Sequence, residues 1–577
     1  MTRGTAGRKR FPAVIVIIIL LAAVIFVVWP LYERYSYSDE RADLRDHFGF
    51  TREDEAAVLL GDEQISERAR VFDGVCYLDA DSVKKYLNDC FYANAEDGVV
   101  LYTSADEVVR AEFGKTSYVR HAEAGAAAGA VKTVETDFVC CRTEEGVSYI
   151  ALDYVKNFAN FSWELFTEPY RVQMYTEWGE IRTAALNRDA ALRTEKSRKS
   201  AVLTDLRRGA LVTIIEENGE WSLVKTADAL VGFAETRRLS GSEIKTGVPV
   251  TDYAAPPYTD LVRDGKVCLV WHQVAVRDAN HFIWDMMDGA YPVNVLSPTW
   301  LRVTDASGAL NSIASADYVA QAHARGIEVW ALVSDFEASE PFDRHELLSQ
   351  SESRKTLIEN LLAAAREYDL DGINLDFELV PSGDGAHFTQ FVRELSVACR
   401  HAGLVFSIDD AVPRERTMHY NRTVQGEVAD YVVIMGYDEH IGGLDEAGSV
   451  ASIGFVEEGI RRTLEEVPAR KVVNAVPFYT RIWTTKDGAS DAAAVGQKTQ
   501  REWIEKRGLT PEWDEETGQN YVEYEEAGAF YQIWMEDAAS QKTRLDVMRS
   551  YDLGGAAAWR LGLQAPEIWD VLAGYCK

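Results

Sequence analysis

The sequence predicts an α/β protein whose second half is a closed (β/α)8 barrel. A small β-barrel and an α+β module precede it, and an N-terminal transmembrane helix opens the chain. Three observations predict this. From Lys266 onward, eight short apolar runs alternate with helical patterns, and roughly 310 residues in that order suit a parallel barrel. Between 181 and 245, alternating strands flank an Asn-Gly turn, the signature of a hairpin. From Phe11 to Trp29 the chain is almost unbroken apolar sequence, and a run of about 19 residues just spans a bilayer.

The apolar run follows Arg3, Arg8, Lys9 and Arg10, a basic cluster that keeps the N-terminus on the cytoplasmic side. Val27-Val-Trp-Pro-Leu-Tyr32 offers no small-x-small cleavage site. The run therefore reads as an uncleaved signal anchor and not as a cleaved signal peptide. Residues 1–35 are the basic tail and anchor, and the rest of the chain is expected outside the cytoplasm, bound to the cell membrane by this single pass. Tyr35 to Leu60 is charged and helix-prone and reads as a stalk. It leads into an α+β module ending near residue 180. Strands are expected at Val71-Phe72, Val75–Leu78, Val99–Tyr102 and Ser148–Leu152, and a helix at Ala80–Leu87 with an Asp or Ser cap. In 181–245, strands are expected at Gly209–Ile215, Trp221–Lys225 and Val231–Ala234, with Glu217-Asn-Gly-Glu220 as the turn. Pro249, Pro256 and Pro257 mark 246–261 as a linker.

In the barrel region, 262–577, strands are expected at Val267–Gln273, Val293–Trp300, Ile327–Val333, Asp371–Glu378, Leu404–Ile408, Tyr431–Asp438, Lys471–Tyr479 and Gly554–Arg560. Helices are expected at 317–325, 354–367 and 386–402, the first and last closed by Gly326 and Gly403.

The chain of 577 residues is too long for one ordinary domain. Its formal net charge is −32, spread along its length. Nucleic-acid binding is excluded, because phosphate needs Lys and Arg. The seven cysteines have no metal-like spacing. Cys268 and Cys399 sit in apolar runs and read as core residues. Cys76 or Cys90 has Cys140 or Cys141 as a candidate disulfide partner in an oxidising compartment, and the sequence leaves that pairing open.

The stretch Asp371-Gly-Ile-Asn-Leu-Asp-Phe-Glu378 carries the chemistry. Strand side chains alternate faces. Ile373, Leu375 and Phe377 share one face, and Asn374, Asp376 and Glu378 share the other. Two carboxylates on one face resist ionising together, so one pKa should rise. A carboxyl that keeps its proton near neutral pH can act as a general acid.

This octapeptide resembles the active-site strand of glycoside hydrolase family 18, the chitinase and endo-N-acetylglucosaminidase family, whose pattern is Asp-x-x-Asp-x-Asp-x-Glu. The second acid is Asn374 here, a form similar to the spore cortex-lytic and peptidoglycan-directed subgroup. Met435-Gly-Tyr-Asp438 resembles the family's sixth strand, Pro477-Phe-Tyr-Thr-Arg-Ile-Trp483 its seventh, and Gly554 to Trp559 its eighth. The family's Ser-x-Gly-Gly on strand three is replaced by Val333-Ser-Asp-Phe336. Residues 181–245 resemble a bacterial SH3-like domain. The preceding module resembles small α+β repeats beside bacterial cell-surface enzymes, such as the copper amine oxidase N-terminal-like module, without residues that suggest copper binding.

The resemblance implies hydrolysis of a GlcNAc-containing polysaccharide, with peptidoglycan favoured over chitin by the anchor and the SH3-like domain. Glu378 would be the acid and base, Asp376 would hold the substrate's acetamido N–H, and Tyr437 its oxygen. Asp371, Asn374, Met435, Asp438, Tyr479, Arg481 and Trp559 would bind substrate, with Trp559 stacking under the sugar. No metal or cofactor is called for. In chitinases the second Asp can share a proton with the third. Asn374 can donate a hydrogen bond to Asp376 but cannot exchange a proton, so an altered pH dependence is expected. Taken singly, Tyr437, Tyr479 and Trp559 would read as core aromatics. Their joint occurrence at strand ends favours the site. The alternatives are a chitinase, an endo-N-acetylglucosaminidase on other glycans, and a catalytically silent carbohydrate-binding protein on the same barrel.

Overall fold

Period-two alternation runs through eight strands and closes them into a barrel. The computed structural model describes residues 17–19, 29–121, 131–246, 253–337, 340–443 and 446–577. The barrel strands are β1 (Val267–His272), β2 (Val295–Val303), β3 (Glu328–Ser334), β4 (Gly372–Asp376), β5 (Val405–Ala411), β6 (Tyr431–Met435), β7 (Val472–Pro477) and β8 (Gly555–Trp559). They pair in parallel in the order β1-β8-β7-β6-β5-β4-β3-β2, and β1 also pairs with β2, which closes the ring. The expected barrel is present, with each strand within a few residues of its predicted span.

Every barrel strand has two buried faces. Leu269, Trp271, Val295, Trp330, Leu332, Tyr431, Val433, Val473 and Ala557 fill the barrel interior. Ile373, Leu375, Phe377, Phe406, Ile408, Val432 and Ile434 pack outward against helices. On β4 this is the predicted split: the apolar face meets the helix Gly385–Ala402, where Phe377 stacks on Phe391 with ring centroids 5.6 Å apart. The surrounding helices include α1 (Ala316–His323), α2 (Ser351–Tyr368), α3 (Gly385–Ala402), α4 (Ile453–Thr463), α5 (Ala538–Ser550) and α6 (Ile568–Cys576). The buried Arg354 of α2 donates to both carboxylate oxygens of Glu394 on α3, the shortest contact at 2.9 Å. Such a pair fixes helix register, since either charge alone would be stranded in the interior.

Between β7 and β8 the chain makes an excursion that the sequence reading passed over. Five antiparallel strands, Tyr479–Lys486, Ala489–Gly496, Glu512–Asp514, Gln519–Glu526 and Ala529–Trp534, form a separate sheet with the helix Gln497–Arg507. Ile482, Ile504, Val522, Ile533 and Met535 are its own core. Tyr479, expected at the end of the seventh strand, begins this sheet.

Contacts divide the chain into two units, 1–89 with 138–254 and 90–137 with 255–577. The described residues of 90–137 pack with the barrel. They form an antiparallel meander of Phe91–Asn94, Val99–Thr103, Val108–Glu112, Ser117–His121 and Val131–Glu135. Asn94 Nδ2 donates to the carbonyl of Ser349 at 2.7 Å, and Gln390 Nε2 on α3 donates to Thr103 Oγ1 at 2.9 Å.

The other unit holds two seven-stranded sheets. One contains the predicted strands near Phe72, Leu78 and Ala151, and helix Ala80–Tyr86 capped by Asp79, whose carboxylate accepts from Ser82 N at 2.9 Å. The other contains Leu211–Asn218, Trp221–Thr226 and Val231–Glu235, joined at the predicted Asn-Gly hairpin, with Trp221 buried. The buried ammonium of Lys225 ties the two together by donating to Gly61 O and Asp62 Oδ1, both at 2.6 Å. The stretch from Tyr35 to Leu60 is not a helical stalk. Apart from the end of helix Trp29–Tyr35 it holds only the short helix Leu44–Phe48, and Glu55–Leu60 is a strand between Arg171–Tyr175 and Glu63–Phe72. A short apolar run suits helix or strand equally, and here the neighbouring strands decide.

The expected anchor, Phe11–Trp29, lies outside the described residues except for Ile17–Ile19 and Trp29. Among the described residues no helix is long and apolar enough to cross a membrane. Cys76, Cys268, Cys399 and Cys576 are buried thiols, as expected for Cys268 and Cys399.

Gly372 opens β4 at a close approach to its neighbouring strands. A Cβ there would lie 2.7 Å from Val405 O and 2.9 Å from the Trp330 ring. Gly372→Ala is expected to destabilise the barrel by about 1–3 kcal/mol, the usual range for overpacking, read as a lowered denaturation midpoint of the barrel transition.

Candidate active site

The C-terminal ends of the barrel strands open into a groove of three adjoining cavities. The central one, about 240 Å³, is lined by Trp271, Asp376, Glu378, Asp409, Tyr437, Asp438 and Trp559 among others. A neighbour of about 380 Å³ shares Glu378, Asp409 and Met435 and extends to Arg416, His419 and Tyr420. A third of about 340 Å³ shares Asp438 and Trp559 and extends to Tyr479, Arg481 and Gly496 of the inserted sheet.

Asp376 is the last residue of β4, buried on the inner face. No described protein group donates to its Oδ1. Burial pushes its carboxyl well above the ordinary range, and the nearby charges of Asp409, Glu378, Asp335 and Glu337 push the same way. Glu378 stands two residues on, past the strand, with its side chain reaching solvent at the mouth. Protein around its carboxyl, followed by the charges of Asp335 and Asp438, raises its pKa as well. One raised pKa was expected on this face, and both carboxyls are pushed up.

Asp438 follows β6 with a left-handed backbone, φ 60°, which aspartate tolerates better than most residues. Its Oδ1 accepts from Tyr479 OH and from Arg481 Nη2, both at 2.5 Å. Arg481 also donates to His440 O at 2.9 Å. Tyr479 and Arg481 therefore orient Asp438 as well as lining the groove. Tyr437 meets Tyr479 edge to face, with centroids 6.2 Å apart, and Trp559 meets Trp271 at 6.0 Å. Gly436 lets β6 approach β7, since a Cβ there would lie 2.9 Å from Ala475 O.

Two predicted substrate-binding residues lie elsewhere. Asp371 precedes β4, at the opposite end of the strand from Asp376. Its carboxylate accepts from Val329 N at 2.7 Å and lies 2.8 Å from His323 Nε2, so it ties β3 to β4 at the N-terminal end of the barrel. Asn374 faces inward but is wholly buried, at 0% exposure. Its Oδ1 accepts from Trp271 Nε1 at 3.0 Å and Ser297 Oγ at 2.8 Å. Its Nδ2 donates to Ser407 Oγ at 3.0 Å and Asp409 Oδ1 at 2.7 Å. The expected hydrogen bond from Asn374 to Asp376 is replaced by these four, and the residue positions its neighbours instead of touching a ligand.

Three residues of the site escaped the sequence reading. Asp409 lies on the inner face of β5, buried, with burial pushing its carboxyl well above the ordinary range against the hydrogen bond from Asn374. The Asp409-Asp410 pair could have revealed it, since alternation must turn one of two adjacent acids inward. Asp410 turns outward to Arg422, 3.1 Å away. Trp271 lies near the end of β1, on the same face as Leu269. Asp335 occupies the segment that replaces Ser-x-Gly-Gly. It is 1% exposed, its Oδ1 accepts from the backbone N–H of Glu378 at 3.1 Å, and its Oδ2 accepts from Arg344 Nε at 2.9 Å. Only the fold reveals that this side chain holds the backbone of Glu378.

A parallel barrel with a carboxyl cluster and an aromatic-lined groove at its C-terminal rim has the frame of a glycoside hydrolase. The family model described as glycosyl hydrolases family 18 matches residues 300–564, and that of the bacterial SH3 domain matches residues 188–240. The barrel is therefore a glycoside hydrolase family 18 domain, and a bacterial SH3 domain precedes it. The chain is 26% identical over 263 residues to the uncharacterized glycosylase YvbX of Bacillus subtilis, covering 43% of this chain and 74% of that protein. It is 27% identical over 237 residues to the cortical fragment-lytic enzyme of Bacillus subtilis, covering 39% of this chain and 54% of that one. It thus spans about three-quarters of the first relative and about half of the second. The Bacillus cereus spore cortex-lytic enzyme SleL has the same fold, with a TM-score of 0.50 at 21% identity over 58% of this chain and 79% of that one.

Two outcomes are expected. Asp335→Ala should lower kcat by up to about 100-fold, as loss of alignment does, with little change in KM. Asp335→Asn, which keeps the acceptor, should restore most of it. Removing the Asp335 charge should also lower the Glu378 pKa and move the alkaline limb of kcat/KM to lower pH. Asp409 concerns stability. Its folded pKa lies above the unfolded value of about 3.9, so its stabilising contribution is complete below that pH and is lost as pH rises through the folded pKa. Asp409→Asn should match the wild type in melting temperature near pH 3.5 and exceed it at pH 7.

Proposed function

We propose that this chain is an N-acetylglucosaminidase that cuts cell-wall glycan, peptidoglycan before chitin, by substrate-assisted retaining hydrolysis. The observation that carries the reading is Oδ1 of Asp376, a buried carboxylate oxygen with no described protein donor, beside Glu378, whose pKa burial raises. Buried acceptors are seldom left unpaired, and a substrate acetamido N–H is the donor that would pair this one.

Glu378, protonated, gives its proton to the glycosidic oxygen as the bond to the anomeric carbon breaks. The acetamido oxygen of the same sugar attacks that carbon and closes an oxazolinium ion. Asp376 accepts from the acetamido N–H and offsets the positive charge, while Tyr437 donates to the acetamido oxygen. Trp559 stacks under the sugar, and Asp438, held by Tyr479 and Arg481, positions its ring with Met435 beside it. Glu378, now a carboxylate, takes a proton from water as the water opens the ring with net retention. This replaces the scheme with two catalytic carboxylates. Asp409 gives Asp376 an acidic neighbour that Asn374 does not, so proton sharing moves to the next strand.

The peptidoglycan reading draws on the bacterial SH3 domain and on the relative that is a cortical fragment-lytic enzyme. The basic cluster and apolar run before Trp29 support a single-pass anchor in the cell membrane with the barrel on the extracytoplasmic side.

Incubation with purified peptidoglycan, and separately with chitin oligomers, followed by mass spectrometry of new ends, tests the reading. New GlcNAc reducing ends are expected from peptidoglycan, falling at least about 1,000-fold with Glu378→Gln, which cannot donate the proton. Cleavage of chitin oligomers alone would make the protein a chitinase. Binding without new ends from either would make it a carbohydrate-binding protein.

A further inference from the structure

One polar cluster of the barrel unit lies outside the groove linings. A ring nitrogen of His345, a ring nitrogen of His387 and a carboxylate oxygen of Asp384 lie within 4.8 Å of one another. Asp384 is buried at the N-cap of α3, His387 sits in the first turn of that helix, and His345 belongs to the helix Arg344–Ser349. His345 Nδ1 is 2.6 Å from Asp384 Oδ1.

The other nitrogens of the two rings are already held by oxygen atoms. His345 Nε2 is 3.2 Å from Glu96 Oε2. His387 Nδ1 is 2.5 Å from Tyr92 OH, and Tyr92 OH in turn accepts from Asn94 Nδ2 at 3.2 Å. That leaves His387 Nε2 for a ligand beside Asp384, with His345 Nδ1 exchanging its hydrogen bond to Asp384 for the same ligand. Metal-binding histidines are built this way: the outer N–H donates to an oxygen and fixes the tautomer and the ring plane. Two imidazoles and one carboxylate are also the donor types of three-ligand zinc sites, with a fourth position left for water.

We infer that His345, Asp384 and His387 form a binding site for a divalent transition ion, Zn²⁺ in the first instance. Zinc bonds of about 2.1 Å at the tetrahedral angle set donors about 3.4 Å apart. The His345–Asp384 pair opens slightly and His387 closes in, changes that side-chain rotation supplies. The nearest buried cation, Arg354, lies over the Tyr92 ring but is paired with Glu394, so its charge is offset.

The ion would brace the polypeptide around Glu378 from two directions. Asp384 lies six residues beyond Glu378 on the loop into α3. His345 follows Arg344, whose guanidinium donates to the Asp335 carboxylate that accepts from Glu378 N. The site is therefore structural, tying the acid's loop, the Arg344 helix and the meander that carries Tyr92 and Glu96.

The test uses the whole untagged chain, stripped with chelator and dialysed against Zn²⁺. About one zinc per chain is expected by elemental analysis, together with a raised melting temperature, because a ligand that binds only the folded state stabilises it. His387→Ala and Asp384→Asn should each lose the zinc. Tyr92→Phe and Glu96→Gln keep all three ligands and should bind about 10–100-fold more weakly. Co²⁺ in place of zinc should give visible absorption in the wild type and none in His387→Ala. No zinc on the wild type at micromolar concentration would overturn the inference. So would wild-type binding by a folded His387→Ala variant, or unchanged affinity in both Tyr92→Phe and Glu96→Gln. Each readout is metal binding itself and stands apart from any activity on glycan.

Discussion

The crowding of acids at one dry end of the barrel governs the rest of the site. Three acids around the groove have their own cations: Asp335 has Arg344, Glu337 has Arg302 at 2.6 Å, and Asp438 has Arg481. The two inner acids, Asp376 and Asp409, have none, and no Lys or Arg lines the central cavity. Burial of a carboxylate without a cation favours its protonated form and raises its pKa. The arrangement thus raises the pKa of the acids at the centre of the groove, while the arginines hold the surrounding loops in place.

The two departures from the family pattern make sense together within that constraint. A carboxylate at position 374 would face Asp409 Oδ1 at the 2.7 Å now spanned by an amide N–H, and two anions cannot share that distance. The amide of Asn374 removes the conflict and binds Trp271, Ser297 and Ser407 as well. On β3, the small residues of the family motif give way to Asp335, which meets the backbone of Glu378. One substitution removes a charge from the interior and the other places a charge where an arginine can meet it.

The parts of this organisation that depend on local pattern were legible in the sequence. Alternation on β4 separated Ile373, Leu375 and Phe377 from Asn374 and Asp376, and the fold keeps that separation. Apolar runs between helical patterns located all eight strands. What was not legible depends on contacts across the ring. Asp371 and Asn374 carry the right residue types in the right motif, yet one lies at the wrong end of its strand and the other is enclosed on all sides. Asp409 and Trp271 belong to neighbouring strands, and only closure of the barrel brings them to Asp376. The meander of 90–137 read as ordinary strand sequence, and nothing local in it announces that it packs on α3.

The sheet inserted between β7 and β8 has a hydrophobic core of its own, built from Ile482, Ile504, Val522, Ile533 and Met535. It also supplies one wall of the groove through Tyr479, Arg481 and Gly496. A wall with an independent core can change its surface side chains without repacking the strands that hold Asp376. The fit of the groove to a ligand can therefore be retuned through this appendage while the strands that hold Asp376 keep their packing.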